Sequence, residues 1–274
     1  MSARINQQGL LAGKVAVITG ASRGIGEGIA RRFAMEGASV VVTARTLESG
    51  DHRLPGSIKG TVDAIKAAGG RALAVQADLS LEEDRVRIIR TAEETFGPVD
   101  ILMNNAAVTF FVPVAKFSEK QFRLMMEVQV YAPLRLAQLV LPGMQERKSG
   151  WILNMSSHAA LHPRAGMPAT GGTVYGMCKA ALERFTTGLA SEVRADGIGV
   201  NVISPGLVAT PGVLHHGLVN ERNKDRVTPV EDVAEACLRL CHGDPAEISG
   251  KITYADQVIK EYDLHPVELI PMEL

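Results

Sequence analysis

The 274 residues are 46% apolar and 22% charged, and 29 basic against 30 acidic side chains leave a net charge of −1, the composition of a folded globular protein. That balance, with only 7 Phe, 4 Tyr and 1 Trp, argues against nucleic acid as a partner, which would call for a basic face and stacking aromatics. No run approaches the roughly 18 apolar residues of a membrane span. Residues 1–13 lack the apolar stretch of a secretory signal, so the expected location is the cytoplasm.

In chain order, β-branched runs alternate with longer helical periodicities. Strands are expected over residues 15–19, 39–43, 72–76, 99–103, 151–155, 199–203 and 251–254. Helices are expected over 24–36, 58–68, 81–96, 119–147, 174–195 and 230–241, the fourth opened by a Ser118/Gln121 capping box and bent at Pro133. Near-continuous apolar strands such as Ala38-Ser-Val-Val-Val-Thr-Ala44 suit a parallel sheet buried on both faces. Strand–helix alternation then implies right-handed crossovers and a doubly wound α/β sandwich in one domain over residues 1–274. The segments 46–56, 156–173 and 204–228 are longer than a connection requires, and each follows a strand, where such folds bind ligands. Three cysteines make no disulfide framework; Cys237 and Cys241, four apart in a helical pattern, read as packing residues, and no metal site is expected.

The first strand runs into Thr19-Gly-Ala-Ser-Arg-Gly-Ile-Gly26 and then a helix. Glycines at 20, 24 and 26 allow a tight turn and close approach to a pyrophosphate, which the helix N-terminus would hold. The second strand ends in Thr43-Ala-Arg45, with no acid to accept from a ribose hydroxyl. Arg45 and Arg23 are either solvated surface charges or two cations for a 2′-phosphate, which favours NADP over NAD. Asp78 either accepts from an adenine amino group or opens the following helix. Later, Tyr175 and Lys179 stand four apart on one helix face, so the ammonium would favour the ionised phenol and make it usable as a general acid/base.

Taken together, Thr19 to Gly26, Asn104-Asn-Ala-Ala107, Ser157, Tyr175 with Lys179, and Pro205-Gly206 with Thr210 resemble the short-chain dehydrogenase/reductase family. Its marks are T-G-x-x-x-G-x-G, N-N-A-G, a serine before the active helix, Y-x-x-x-K, and P-G after the sixth strand. The resemblance covers about residues 10 to 255 and implies a Rossmann-type fold, a mainly parallel seven-stranded sheet with helices on both faces. It implies cofactor contacts from Gly20, Ser22, Arg23, Gly24, Ile25, Gly26, Arg45, Asp78, Leu79, Asn104, Ala106, Pro205, Gly206 and Thr210, together with Tyr175 and Lys179. It further implies that Tyr175 exchanges the hydroxyl proton, Ser157 bonds the substrate oxygen, and Lys179 holds the nicotinamide ribose while hydride moves. Ser157 is favoured over Ser156 by the family pattern and by strand alternation. Gln129 stands where the family has an asparagine of a proton relay, and Ala107 where it has glycine. From Ser157 to Tyr175 is 18 positions, about five more than usual, so this segment is expected to cap the pocket. The 46–56 segment with Leu54-Pro-Gly resembles the hydroxysteroid dehydrogenase-like branch.

The substrate implied is a small apolar ketone, aldehyde or alcohol. Phe110, Phe111, Met167, Val213 and Leu214 either wall its pocket or pack loops onto the core. His158, His162, His215 and His216 lie in pocket loops without ligand spacing. Self-association as a dimer or tetramer is implied through the fourth and fifth helices, and the tail 264–274 would cover a neighbour or its own pocket. Two other readings stand beside this one. A non-catalytic NADP-binding scaffold or sensor would account for Gln129 but not for the intact Ser157, Tyr175 and Lys179. A nucleotide-sugar epimerase would show T-G-x-x-G-x-x-G and a larger C-terminal region.

Overall fold

A computed structural model describes residues 4–163, 166 and 171–272. The strands are β1 (Val15–Thr19), β2 (Ser39–Ala44), β3 (Arg71–Gln76), β4 (Ile101–Asn104), β5 (Gly150–Met155), β6 (Ile198–Ser204) and β7 (Ile252–Tyr254). They form one sheet in the order β3-β2-β1-β4-β5-β6-β7, parallel at every pairing. The order reverses between β1 and β4, so their connections leave to opposite sides and a crevice opens beyond their carboxyl ends.

Strand alternation divides the core into two layers. Val40 and Val42 pack with α1 (Gly24–Met35), α2 (Ile58–Ala67), α8 (Val230–Arg239) and α10 (Ala255–Glu261) through Ile29, Ile58, Val233 and Val258. Val17 and Val41 point the other way, to α3 (Glu82–Phe96), α5 (Ala132–Arg147) and α6 (Thr173–Glu192) through Ile88, Leu136 and Leu189. Burial on both faces explains why these strands are apolar throughout. Three shorter helices, α4 (Glu119–Met126), α7 (Pro211–His215) and α9 (Pro245–Ile248), complete the set.

The expected long helix over 119–147 is two helices. Ser118 closes its capping box with Gln121, but a π-helical turn, Glu127–Tyr131, separates α4 from α5. Pro133 sits in the first turn of α5; having no N–H, it gives nothing to the Gln129 carbonyl four residues back, and the wider turn falls at that point. The tail also settles on its own subunit: Leu269 and Ile270 are buried in the α1 layer, and Arg31 donates to the Ile270 carbonyl at 2.6 Å.

Between β5 and β6, Trp151 faces Gly199. A Cβ on Gly199 would come within 2.2 Å of the indole ring. Gly199→Ala is therefore expected to destabilise the fold by about 1–3 kcal/mol through overpacking, seen as a lower urea midpoint at unchanged slope.

Candidate functional site

The crevice begins where β1 leaves the sheet. Gly20 and Gly24 have φ of +68° and +61°, and a Cβ on Gly20 would lie 2.7 Å from the Ala106 Cα. Only glycine permits both the turn and this approach. No side chain caps the start of α1, so its first-turn amides remain directed toward a ligand. Asn105 holds the loop from the β4 side, its Nδ2 donating to the Thr19 carbonyl at 2.9 Å. Thr19 Oγ1 in turn accepts from the amides of Asn105 and Ala106.

A cleft of about 330 Å³ follows, lined by Gly20, Ser22, Arg23, Ile25, Gly26, Arg45, Asp78, Leu79, Ala106 and Thr210 of the expected set, and also by Asn105, Thr46, His52 and Val108. The Asn104 side chain turns into the sheet, donating to Asn154 Oδ1 at 2.9 Å, while Asn154 donates to Thr186 Oγ1. Asn105 is the residue that meets the cleft, and the same Asn-Asn pair was its only sequence signal. Gly24, Tyr175, Lys179, Pro205 and Gly206 lie outside this cleft's lining. Gly24 is covered by Thr210, whose Cγ2 would be 2.9 Å from an added Cβ, and Gly206 backs onto Thr228. Asp78 lines the cleft and accepts from the Ser80 amide and hydroxyl, while α3 opens at Leu81 with no side-chain cap.

The two arginines differ. Arg45 is exposed at the cleft wall. Arg23 is anchored by its Nε to the Pro55 carbonyl at 2.7 Å and by Nη2 to the Gly56 carbonyl and Thr46 Oγ1. Burial, then the Arg45 charge, pull Arg23 below its ordinary pKa. The glycine cradle and these cations fit a dinucleotide phosphate.

Beyond β5, Ser157 caps a short 3-10 turn, accepting from the Ala159 amide, and its hydroxyl is within hydrogen-bonding reach of the Tyr175 phenol. Ser156 instead donates to Glu183 Oε1 at 2.6 Å. Lys179, buried, donates to the Met155 carbonyl at 2.8 Å and stands 5.6 Å from the Tyr175 ring centre. Burial pulls Lys179 down to about 8 and pushes the Tyr175 phenol above its usual value, against the Ser157 hydrogen bond. On the phenol, burial outweighs the Ser157 hydrogen bond, while the Lys179 ammonium donates to a main-chain carbonyl. Gln129 is buried in the π turn; its Nε2 donates to the Val108 carbonyl, and its Oε1 has no partner among the described residues.

Phe111 lies edge-on to Tyr175 at 5.9 Å and to His216 at 5.8 Å, which suits a pocket wall, whereas Phe110 packs with Met125, Val174 and Cys178. Met167 is outside the described residues. His158 meets Ser204 Oγ at 3.2 Å and the Tyr254 ring. Among the described residues no group of three His, Cys, Asp or Glu could hold a metal ion, and no helix is long and apolar enough to cross a membrane.

The family model described as short chain dehydrogenase matches residues 14–216. The chain is 33% identical over 253 residues to 7alpha-hydroxysteroid dehydrogenase of Escherichia coli strain K12, covering 88% of this chain and 92% of that one. It is 31% identical over 238 residues to ketoacyl reductase HetN of a Nostoc species, covering 87% and 78%. A metagenomic short-chain oxidoreductase solved in complex with NADP superposes with a TM-score of 0.72 at 30% identity, covering 89% and 97%.

Proposed function

Because the chain belongs to the short chain dehydrogenase family, we propose that it is an NADP-dependent oxidoreductase acting on an apolar ketone, aldehyde or alcohol, with Tyr175 as general acid/base. The observation that carries this reading is the meeting of Ser157, Tyr175 and Lys179 at the sheet edge that also holds the glycine cradle. When bound, the dinucleotide supplies or accepts the hydride. Gly20, Ile25 and Gly26 would hold its pyrophosphate, Asn105 and Ala106 would brace its middle, and Arg45 would meet its ribose phosphate.

Ser157 orients the substrate oxygen, and Tyr175 gives that oxygen its proton. A phenol held above its usual pKa is protonated at neutral pH, the form that carbonyl reduction uses. Lys179 steadies the ribose and lies beneath the phenol; Gln129 sits behind them as part of the relay. Phe111 closes the apolar wall, in keeping with the hydroxysteroid named for one relative. The exposed Phe122 and Tyr131 of the α4–α5 face support a dimer or tetramer built there.

Arg45→Glu is expected to weaken NADPH binding at least tenfold, by loss of a charge-assisted contact and repulsion of the 2′-phosphate, and to leave NADH binding equal or tighter. Fluorescence titration of the two reduced cofactors measures both, and a wild-type preference for NADH would refute the NADP assignment. A panel of alkyl, aryl and steroid ketones scored by NADPH oxidation tests the chemistry; tight binding with no oxidation across the panel would favour a non-catalytic binding protein.

A further inference from the structure

The 46–56 segment is docked on the glycine loop. Gly56 has φ of +97°, and a Cβ there would meet the Ser22 carbonyl oxygen at 2.5 Å, so no other residue fits against the loop. From the loop side, Arg23 grips the Pro55 and Gly56 carbonyls and the Thr46 hydroxyl, leaving its Nη1 without a protein partner among the described residues. At the tip, the Leu54 amide donates to His52 Nδ1 at 3.1 Å. With Nδ1 accepting, the ring proton belongs on Nε2, the nitrogen left for a ligand. His52 lines the cleft beside Arg23, Arg45 and Thr46.

The acids of this segment are turned elsewhere. Glu48 pairs with Lys59 at 2.9 Å, and Asp51 Oδ2 accepts from the Glu48 amide. A bare ribose hydroxyl would find neither carboxylate of this segment turned to accept its proton, whereas a phosphate would find donors in Arg23, Arg45 and His52. Partial burial, then the charges of Arg23, Arg45, Arg53 and His215, hold His52 below its ordinary pKa.

We propose that His52 is the third donor of a 2′-phosphate clamp, with Arg45 and the Nη1 of Arg23, delivered into the cleft by the docked insertion and reading the phosphate through its Nε2–H. The inference rests on the NADP reading above and adds a residue that discriminates NADP from NAD.

Calorimetric titration with adenosine 2′,5′-bisphosphate and with adenosine 5′-monophosphate tests it on the wild type, His52→Ala and His52→Gln, with no turnover required. His52→Ala should weaken the bisphosphate about tenfold or more, the loss of one hydrogen bond to a charged group, and leave the monophosphate within about twofold. His52→Gln, whose amide nitrogen takes the place of Nε2, should recover part of the loss. Equal weakening of both ligands, or an unchanged bisphosphate affinity in His52→Ala, overturns the clamp while leaving the NADP reading standing. A wild type that binds the two ligands equally overturns the NADP reading itself and the clamp with it.

Discussion

Tyr175→Phe is expected to lower turnover by roughly a thousandfold or more while changing the NADPH dissociation constant less than about twofold, since a positioned general acid contributes on the order of 10²–10⁴. The substitution keeps the ring, its burial and its edge contact with Phe111, and removes one hydroxyl. Neither Cys178 nor Lys179 is placed to replace that proton. Cys178 is turned to the Met126 sulfur at 3.7 Å, burial pushes its thiol up, and Lys179 is committed to the Met155 carbonyl. Single-turnover rates with any ketone that the wild type reduces, alongside cofactor titration, separate the two effects. Near-wild-type turnover in the phenylalanine variant would remove Tyr175 from the chemistry.

The second large effect belongs to Lys179, and it has a stability signature of its own. Burial lowers its pKa from 10.5 to about 8, so between these values the unfolded chain holds a proton that the folded one has released. Unfolding then takes up protons, and the lysine's contribution to stability rises with pH from about 8 toward 10.5. The full range corresponds to roughly 3 kcal/mol. Below pH 8 the folded protein carries a buried ammonium held by one carbonyl and one aromatic face. Lys179→Met should lose about a hundredfold or more in kcat/KM. Its urea stability relative to the wild type should be highest near pH 7 and decline as pH rises to 10. A stability difference independent of pH over that window would contradict the burial-driven shift.

Much of this was legible in the residues, for identifiable reasons. Runs such as Val40-Val-Val42 announce strands buried on both faces, and Ser118 with Gln121 announces a helix start, because each signal is local. The i, i+4 spacing likewise placed Lys179 beside Tyr175. Spacing could not say which way the ammonium turns or how far burial raises the phenol, since both depend on β5 and the segments packed above. The Asn104–Asn105 pair shows the same limit at one residue's resolution: successive side chains on a strand face opposite ways, and where β4 ends decides which one meets the cleft. The π turn at 127–131 was hidden because one extra residue per turn barely disturbs a helical pattern, and Pro133 marks it only by the donor it lacks. Arg23 was recognised as a cation at the right place, but its engagement with Pro55 and Gly56 depends on how an insertion thirty residues later folds back.

The position of α7 links the two ends of the site. Its capping residue, Thr210, rests on Gly24, and His216 at its far end meets Phe111, which in turn meets Tyr175. This short helix is therefore a bridge with one foot on the phosphate loop and the other above the phenol. A substitution that unwound α7 would therefore be felt at both ends together, because five residues carry the contact to the glycine loop and the contact to the aromatic group beside Tyr175.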